Sequence, residues 1–231
     1  MQLTLKRKTA LIAFLAFDVL VVIALVILFL MRSERQSEDE LREIGVTIFP
    51  EARTLSDFRL LDQQGDFFSK DDLKGRWNLV FFGFTHCPDI CPLTMSELAQ
   101  FYAGLDFSRD VKPRVFLVTV DPEQDNPGSM AAYLANYNEE FIGLSGDPGQ
   151  IAQLATELFV GYGETVESEA GAPHEHADVD SHTEDDATEG SYRIAHSAHI
   201  AVLDPQGDFY AVMRAPHRDQ DLLEAFRELV K

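Results

Sequence analysis

Basic residues are scarce in this 231-residue chain: 19 Lys and Arg stand against 39 Asp and Glu, a formal charge of −20. A surface of that sign repels a phosphate backbone, which removes nucleic acid from the expected partners. Cysteine is scarcer still, with only two. Two thiols cannot staple a disulfide scaffold or complete a four-thiolate zinc site, so any chemistry they have is the chemistry of a pair. Internal repeats are absent as well. Aromatic residues at 10% and apolar residues at 45% are too abundant for a wholly disordered chain, and the length suits one domain with accessories.

The charges that are present divide the chain. Lys6, Arg7 and Lys8 precede a run from Leu11 to Met31 in which Asp18 is the only charge. As a helix that run is about 31 Å long, enough to cross the hydrocarbon core of a bilayer. A cleaved signal peptide is the competing reading. The length of the run, and bulky Leu28-Phe29-Leu30-Met31 where small residues would mark a cleavage site, favour an uncleaved anchor. The basic cluster before it keeps residues 1–31 as a cytoplasmic tip plus a single transmembrane helix and sends the remainder across. With only five residues before Lys6 there is no room for a mitochondrial transit peptide, and the expected location is a bacterial inner membrane with the C-terminal domain in the periplasm. Residues 32–50 read as a charged stalk with a short helix near Asp39–Ile44, and residues 51–231 as the folded domain. Within that domain, residues 164–190 hold ten acids, no Lys or Arg, and three histidines, His174, His176 and His182. Such a composition predicts an acidic disordered loop.

The rest reads as one α/β domain. Asn78–Phe84 and Arg114–Val120 are continuous apolar runs, as for strands buried on both faces. A hairpin is expected about Gln64-Gly65, helices near 92–105, 128–138 and 148–159, a second hairpin about Asp204-Pro205-Gln206-Gly207, and a last helix from Asp219, its expected cap, to Val230. The order βαβ…ββα, with the cysteines just after the first central strand, is the thioredoxin arrangement.

Cys87 and Cys91 are four residues apart, at a strand's C-terminal edge where a helix begins. One helical turn would put both thiols on the same face, within disulfide range, and a helix N-terminus lowers a thiol pKa. Thiol–disulfide exchange and metal binding are both open to such a pair. The spacing is one residue longer than the thioredoxin dithiol, and the stretch Ile194-Ala195-His196-Ser197-Ala198 has a histidine where a thioredoxin has its cis-proline. Two thiolates and an imidazole form a soft, low-coordination set that favours Cu(I), with Cu(II) and Zn(II) as further options. His86, beside Cys87, is a weaker ligand candidate. Asp121 and Asp125 are candidates for the site or for turn capping, and His199 reads as structural or exposed.

Phe82-Gly83-Phe84-Thr85-His86-Cys87-Pro88-Asp89-Ile90-Cys91-Pro92 resembles the core motif of the Sco/SenC family of membrane-anchored copper chaperones. Val118-Thr119-Val120-Asp121-Pro122-Glu123-Gln124-Asp125-Asn126-Pro127 resembles its second block, and Ala195-His196-Ser197 before Asp204-Pro205-Gln206-Gly207 its third. The resemblance runs from about Asp57 to the C-terminus, interrupted by the acidic loop. It implies a thioredoxin-like fold, copper held by Cys87, Cys91 and His196, and work on the dinuclear copper site of cytochrome c oxidase subunit II. That work is copper delivery or, alternatively, reduction of that site's cysteines as a periplasmic thiol–disulfide oxidoreductase. A periplasmic copper donor upstream is a further expected partner. Ala195 departs from the family pattern, which usually has an acid before the histidine. His174, His176 and His182, as His-x-His with nearby carboxylates, are auxiliary metal candidates, and a solvated charged insertion is the plainer reading of the same loop.

Overall fold

The computed structural model describes residues 19–23, 25–26, 38–164 and 194–231, with the backbone alone for 162–164 and 194–196. The expected transmembrane run 11–31 and the acidic loop with His174, His176 and His182 lie largely or wholly outside those residues. Among the described residues no helix is long and apolar enough to cross a membrane.

Eight strands form one mixed sheet: β1 (Val46–Arg53), β2 (Arg59–Asp62), β3 (Phe67–Ser69), β4 (Asn78–Gly83), β5 (Arg114–Thr119), β6 (Ile142–Ser145), β9 (Ile200–Leu203) and β10 (Phe209–Met213). Their order is β1-β10-β9-β4-β5-β6-β2-β3, and β7 (Tyr162–Glu164) with β8 (Ile194–His196) forms a separate ribbon. The helices are α1 (Ile90–Ala103), α2 (Pro127–Leu134), α3 (Pro148–Glu157) and α4 (Asp219–Leu229). β4, β5 and β6 are parallel, and β9 pairs antiparallel with β4 on the other side.

Every residue of β4 is buried, so both sheet faces are covered at the centre, as its unbroken apolar run requires. Phe81 and Phe82 point to opposite faces and neither has measurable exposure. Each contributes roughly 1.5–3 kcal/mol of hydrophobic free energy. α1 and α4 pack together, with the Phe101 and Phe226 rings edge to face at 5.6 Å. The two expected hairpins are present as β2–β3 and β9–β10.

The folded region starts earlier than residue 51. β1 begins at Val46, within the segment read as stalk, and pairs with β10 in the register Val46↔Met213, Thr47↔Val212, Ile48↔Ala211. Leu41, in a helical stretch over 38–43, and Val46 are both buried. Charged neighbours and Pro50 concealed that short apolar stretch. β6 carried no sequence expectation because Gly143 sits in its middle. A Cβ there would meet Met130 Cε at 2.9 Å, so the glycine is what lets α2 lie against the strand. The cap of α4 is Arg218 and not Asp219, whose N–H instead donates to Glu97 Oε2 at 2.6 Å. An acceptor from α1 thus serves the helix end that a capping side chain would have served.

Candidate metal centre

β4 ends at Gly83, and the chain turns through Phe84–Asp89 into α1. The turn is closed by the Cys87 N–H donating to the Phe84 carbonyl at 3.3 Å. Cys87 therefore precedes the helix while Cys91 is its second residue, and the two do not share a helical face as the spacing suggested. The turn itself brings the thiols together, and a side-chain hydrogen bond links them. Both are reduced, Cys87 half-buried and Cys91 buried.

Burial, first, and the hydrogen bond with Cys87, second, push the Cys91 thiol well above its ordinary range, while a backbone hydrogen bond at Phe84 works the other way. The expected lowering by the helix N-terminus is outweighed at this sulfur: a charge removed from water costs more than half a unit of helix charge returns. Gly83 gives Cys91 its room, since a Cβ at that position would lie 2.9 Å from Cys91 Sγ and 3.1 Å from Phe81 Cε1.

A buried carboxylate supports the turn. The Asp125 side chain is fully inaccessible and accepts from the Thr85 N–H at 3.0 Å, the Thr85 hydroxyl at 2.5 Å and the Thr119 hydroxyl at 2.6 Å. Because the Thr85 hydroxyl gives its hydrogen to Asp125, it accepts from His86 Nδ1–H at 3.0 Å. His86 is 64% exposed. The Asp121 backbone carbonyl closes the same loop by accepting the Asp125 N–H at 2.9 Å, and the Asp121 carboxyl is shifted upward by burial and by Asp125. Of the two acids singled out by sequence, Asp125 thus holds the dithiol turn and Asp121 shapes the loop beneath it. Tyr133, on α2, lies within electrostatic reach of both sulfurs. Burial and the Tyr137 hydroxyl, 3.4 Å away, raise its phenol.

The third sequence candidate, His196, is the last residue of β8, its backbone paired with Tyr162. The segment after it is held by two imidazoles: His199 Nε2 lies 3.0 Å from the Leu158 carbonyl and His217 Nε2 2.6 Å from that of Ala198. A carbonyl only accepts, so both rings carry the proton on Nε2. His199 is structural, as its position on the chain suggested; His217 was missed, because nothing near it in sequence marks a partner nineteen residues away. Among the described residues no three His, Cys, Asp or Glu side chains gather as a metal set, so His86 does not join the two sulfurs in one. His174, His176 and His182 lie outside the described residues.

Fold and site together define a thioredoxin-like protein with a paired, partly buried dithiol where the central strand enters its helix. A family model described as SCO1/SenC matches residues 47–231, and the chain belongs to that family. It is 34% identical over 176 residues to a Stutzerimonas stutzeri protein whose name describes it as copper-binding, covering 76% of each chain. It is 34% identical over 183 residues to the mitochondrial SCO2 homolog of Bos taurus, covering 76% of this chain and 62% of that one, so it spans less than two thirds of the bovine protein. The structure of Arabidopsis thaliana ScoI with copper bound superposes with a TM-score of 0.62 at 26% identity, over 76% of this chain and 97% of that one.

Proposed function

We propose that this protein binds one copper ion through Cys87, Cys91 and His196 and delivers it to the dinuclear copper site of cytochrome c oxidase subunit II. The observation that carries the reading is the hydrogen-bonded pair of reduced thiols in a family with copper-bound relatives. Two thiolates fit Cu(I), and an imidazole from a different part of the chain completes a set that can also hold Cu(II). Copper is cargo here. Loading displaces the proton that burial keeps on Cys91, so capture releases protons and weakens as pH falls. Residues 1–31 anchor the protein in a bacterial inner membrane with its metal centre in the periplasm, beside the oxidase it serves.

The same dithiol acting as a reductant of the recipient's cysteines is the weaker reading. Of the pair only Cys87 is open to a recipient's disulfide, since Cys91 is buried with its thiol form stabilised. The test is copper binding to the reduced full-length protein, followed by transfer to an apo subunit II copper domain. One copper per chain and transfer are expected. His196→Ala should weaken binding without preventing the Cys87–Cys91 disulfide. Undiminished affinity in that variant sinks the three-ligand set, and disulfide reduction of the recipient without metal transfer sinks delivery.

A further inference from the structure

α3 ends in a way that costs energy. Phe159, two residues past its last turn, has φ +59°, and it is the one non-glycine residue with positive φ among the described residues. Its N–H donates to the Thr156 carbonyl at 3.1 Å, and the Val160 N–H to the Ala155 carbonyl at 2.8 Å, a Schellman ending. Glycine is the usual occupant of that position, because an L side chain there is strained. The ring is also 49% exposed. A strained and half-exposed phenylalanine stays in place because of what it touches. Phe49 of β1 lies at 5.8 Å and Phe209 of β10 at 5.6 Å, both edge to face, and the Arg53 guanidinium is 5.0 Å from the ring centre.

Beyond Phe159 the chain enters the ribbon that carries His196. Val160 is buried. Gly161 and Ser197 then clamp each other: the Ser197 N–H donates to the Gly161 carbonyl at 2.9 Å, and the Gly161 N–H to Ser197 Oγ at 3.2 Å. Tyr162 pairs next, opposite His196. β7 and β8 pair with no strand of the main sheet, so the angle at which the chain leaves α3 sets where the ribbon goes. The carbonyl of Leu158, at the same helix end, accepts from the His199 ring.

We infer that Phe159 is a positioning residue for the metal centre: its pinned left-handed backbone directs the β7–β8 ribbon so that His196 meets the dithiol. The inference rests on His196 being the third copper ligand. The test is a double-mutant cycle on the full-length protein, reading Cu(I) affinity by competition with a chromophoric chelator and the Cu(II)–thiolate absorption and paramagnetic resonance spectra. Phe159→Ala should lower affinity about tenfold, the usual scale for losing a group that orients a ligand, and move the spectra toward those of His196→Ala. In the His196→Ala background it should change neither, and Phe159→Tyr should restore both. Equal losses in both backgrounds, or no loss when His196 is present, overturn the inference. If His196→Ala alone changes nothing, the three-ligand reading has failed first and takes this inference with it. Ser197→Ala removes the hydroxyl that accepts the Gly161 N–H and donates to the Gly161 carbonyl at 3.4 Å, and keeps the Ser197 N–H bond to that carbonyl. If Phe159→Ala does not fold, it should give a smaller loss with the same dependence on His196, and an equal loss in both backgrounds again overturns the inference.

Discussion

The two halves of the proposed metal centre are held in different ways. On the dithiol side, one buried carboxylate accepts three hydrogen bonds from Thr85 and Thr119, the Cys87 amide closes the turn on Phe84, and Gly83 is shaped to the Cys91 sulfur. On the histidine side, a two-stranded ribbon lies apart from the main sheet and is held at its base by a strained phenylalanine, a glycine–serine clamp and two imidazoles. Among the described residues the restraints on the first half converge on the buried Asp125 and Cys91, and those on the second lie at the base of the ribbon. The proposed copper delivery, which requires both holding and release, would benefit from that inequality. In the proposed three-ligand set the sulfurs stay paired by the turn, while His196 would arrive on a ribbon outside the main sheet, and local opening draws on such regions.

If the dithiol side is the stiff half, its buried carboxylate should be the most expensive residue to change. Asp125→Ala takes the acceptor from the buried Thr119 hydroxyl and from the partly buried Thr85 amide and hydroxyl. Stranding buried donors of that kind costs about 3 kcal/mol, or roughly 6–12 °C in Tm for a domain of this size. Thermal melting of the reduced protein checks it, with Asp125→Asn expected to lose less because the amide oxygen still accepts. A smaller drop for Asp125→Ala than for Phe159→Ala would reverse the ranking of the two halves.

Gly83→Ala probes the same half from the side of the sulfur. The new methyl would sit 2.9 Å from Cys91 Sγ, closer than atoms pack, with Leu117 Cδ1 only 3.2 Å away. Overpacking at a buried site costs about 1–3 kcal/mol. The Cys91 thiol, pushed from its niche, should react faster with an aromatic disulfide reagent, while Cys87 reacts as before. Unchanged Cys91 reactivity would mean that the niche yields and the dithiol side is softer than its packing implies.

Much of this asymmetry was not legible in sequence. The central strands were, because β4 and β5 are buried on both faces and read as unbroken apolar runs. So was the pair Cys87 and Cys91, since two cysteines beside prolines at a strand end admit few uses. β1 and β6 were hidden by Pro50 and Gly143, residues that locally oppose strands and are tolerated here through pairing with β10 and packing under Met130. Asp125 could be flagged, but its donors Thr85 and Thr119 lie forty and six residues away, and only the fold brings them together. The rise in the Cys91 thiol ran against the helix-terminus argument, because spacing does not reveal burial.

The smallest expected effect belongs to the histidine side and depends on pH. Burial, above all, holds His217 below the ordinary imidazole value of 6.5; the Ala198 carbonyl and Glu97 pull it upward and His199 downward. The folded state therefore takes up this proton less readily than the unfolded chain. As pH falls below about 6.5 the unfolded state gains the proton first, and stability is lost from there down toward the folded pKa. His217→Gln keeps a donor for Ala198 and removes the titration. Its Tm should fall less than that of the unsubstituted protein between about pH 7.5 and pH 5.5, with Cys87–Cys91 disulfide formation unaltered in rate because the dithiol turn is untouched. Parallel Tm curves would remove His217 from the acid response. A change in disulfide rate would show that the two halves are coupled through residues 197–199, so that the dithiol and the ribbon move as one body.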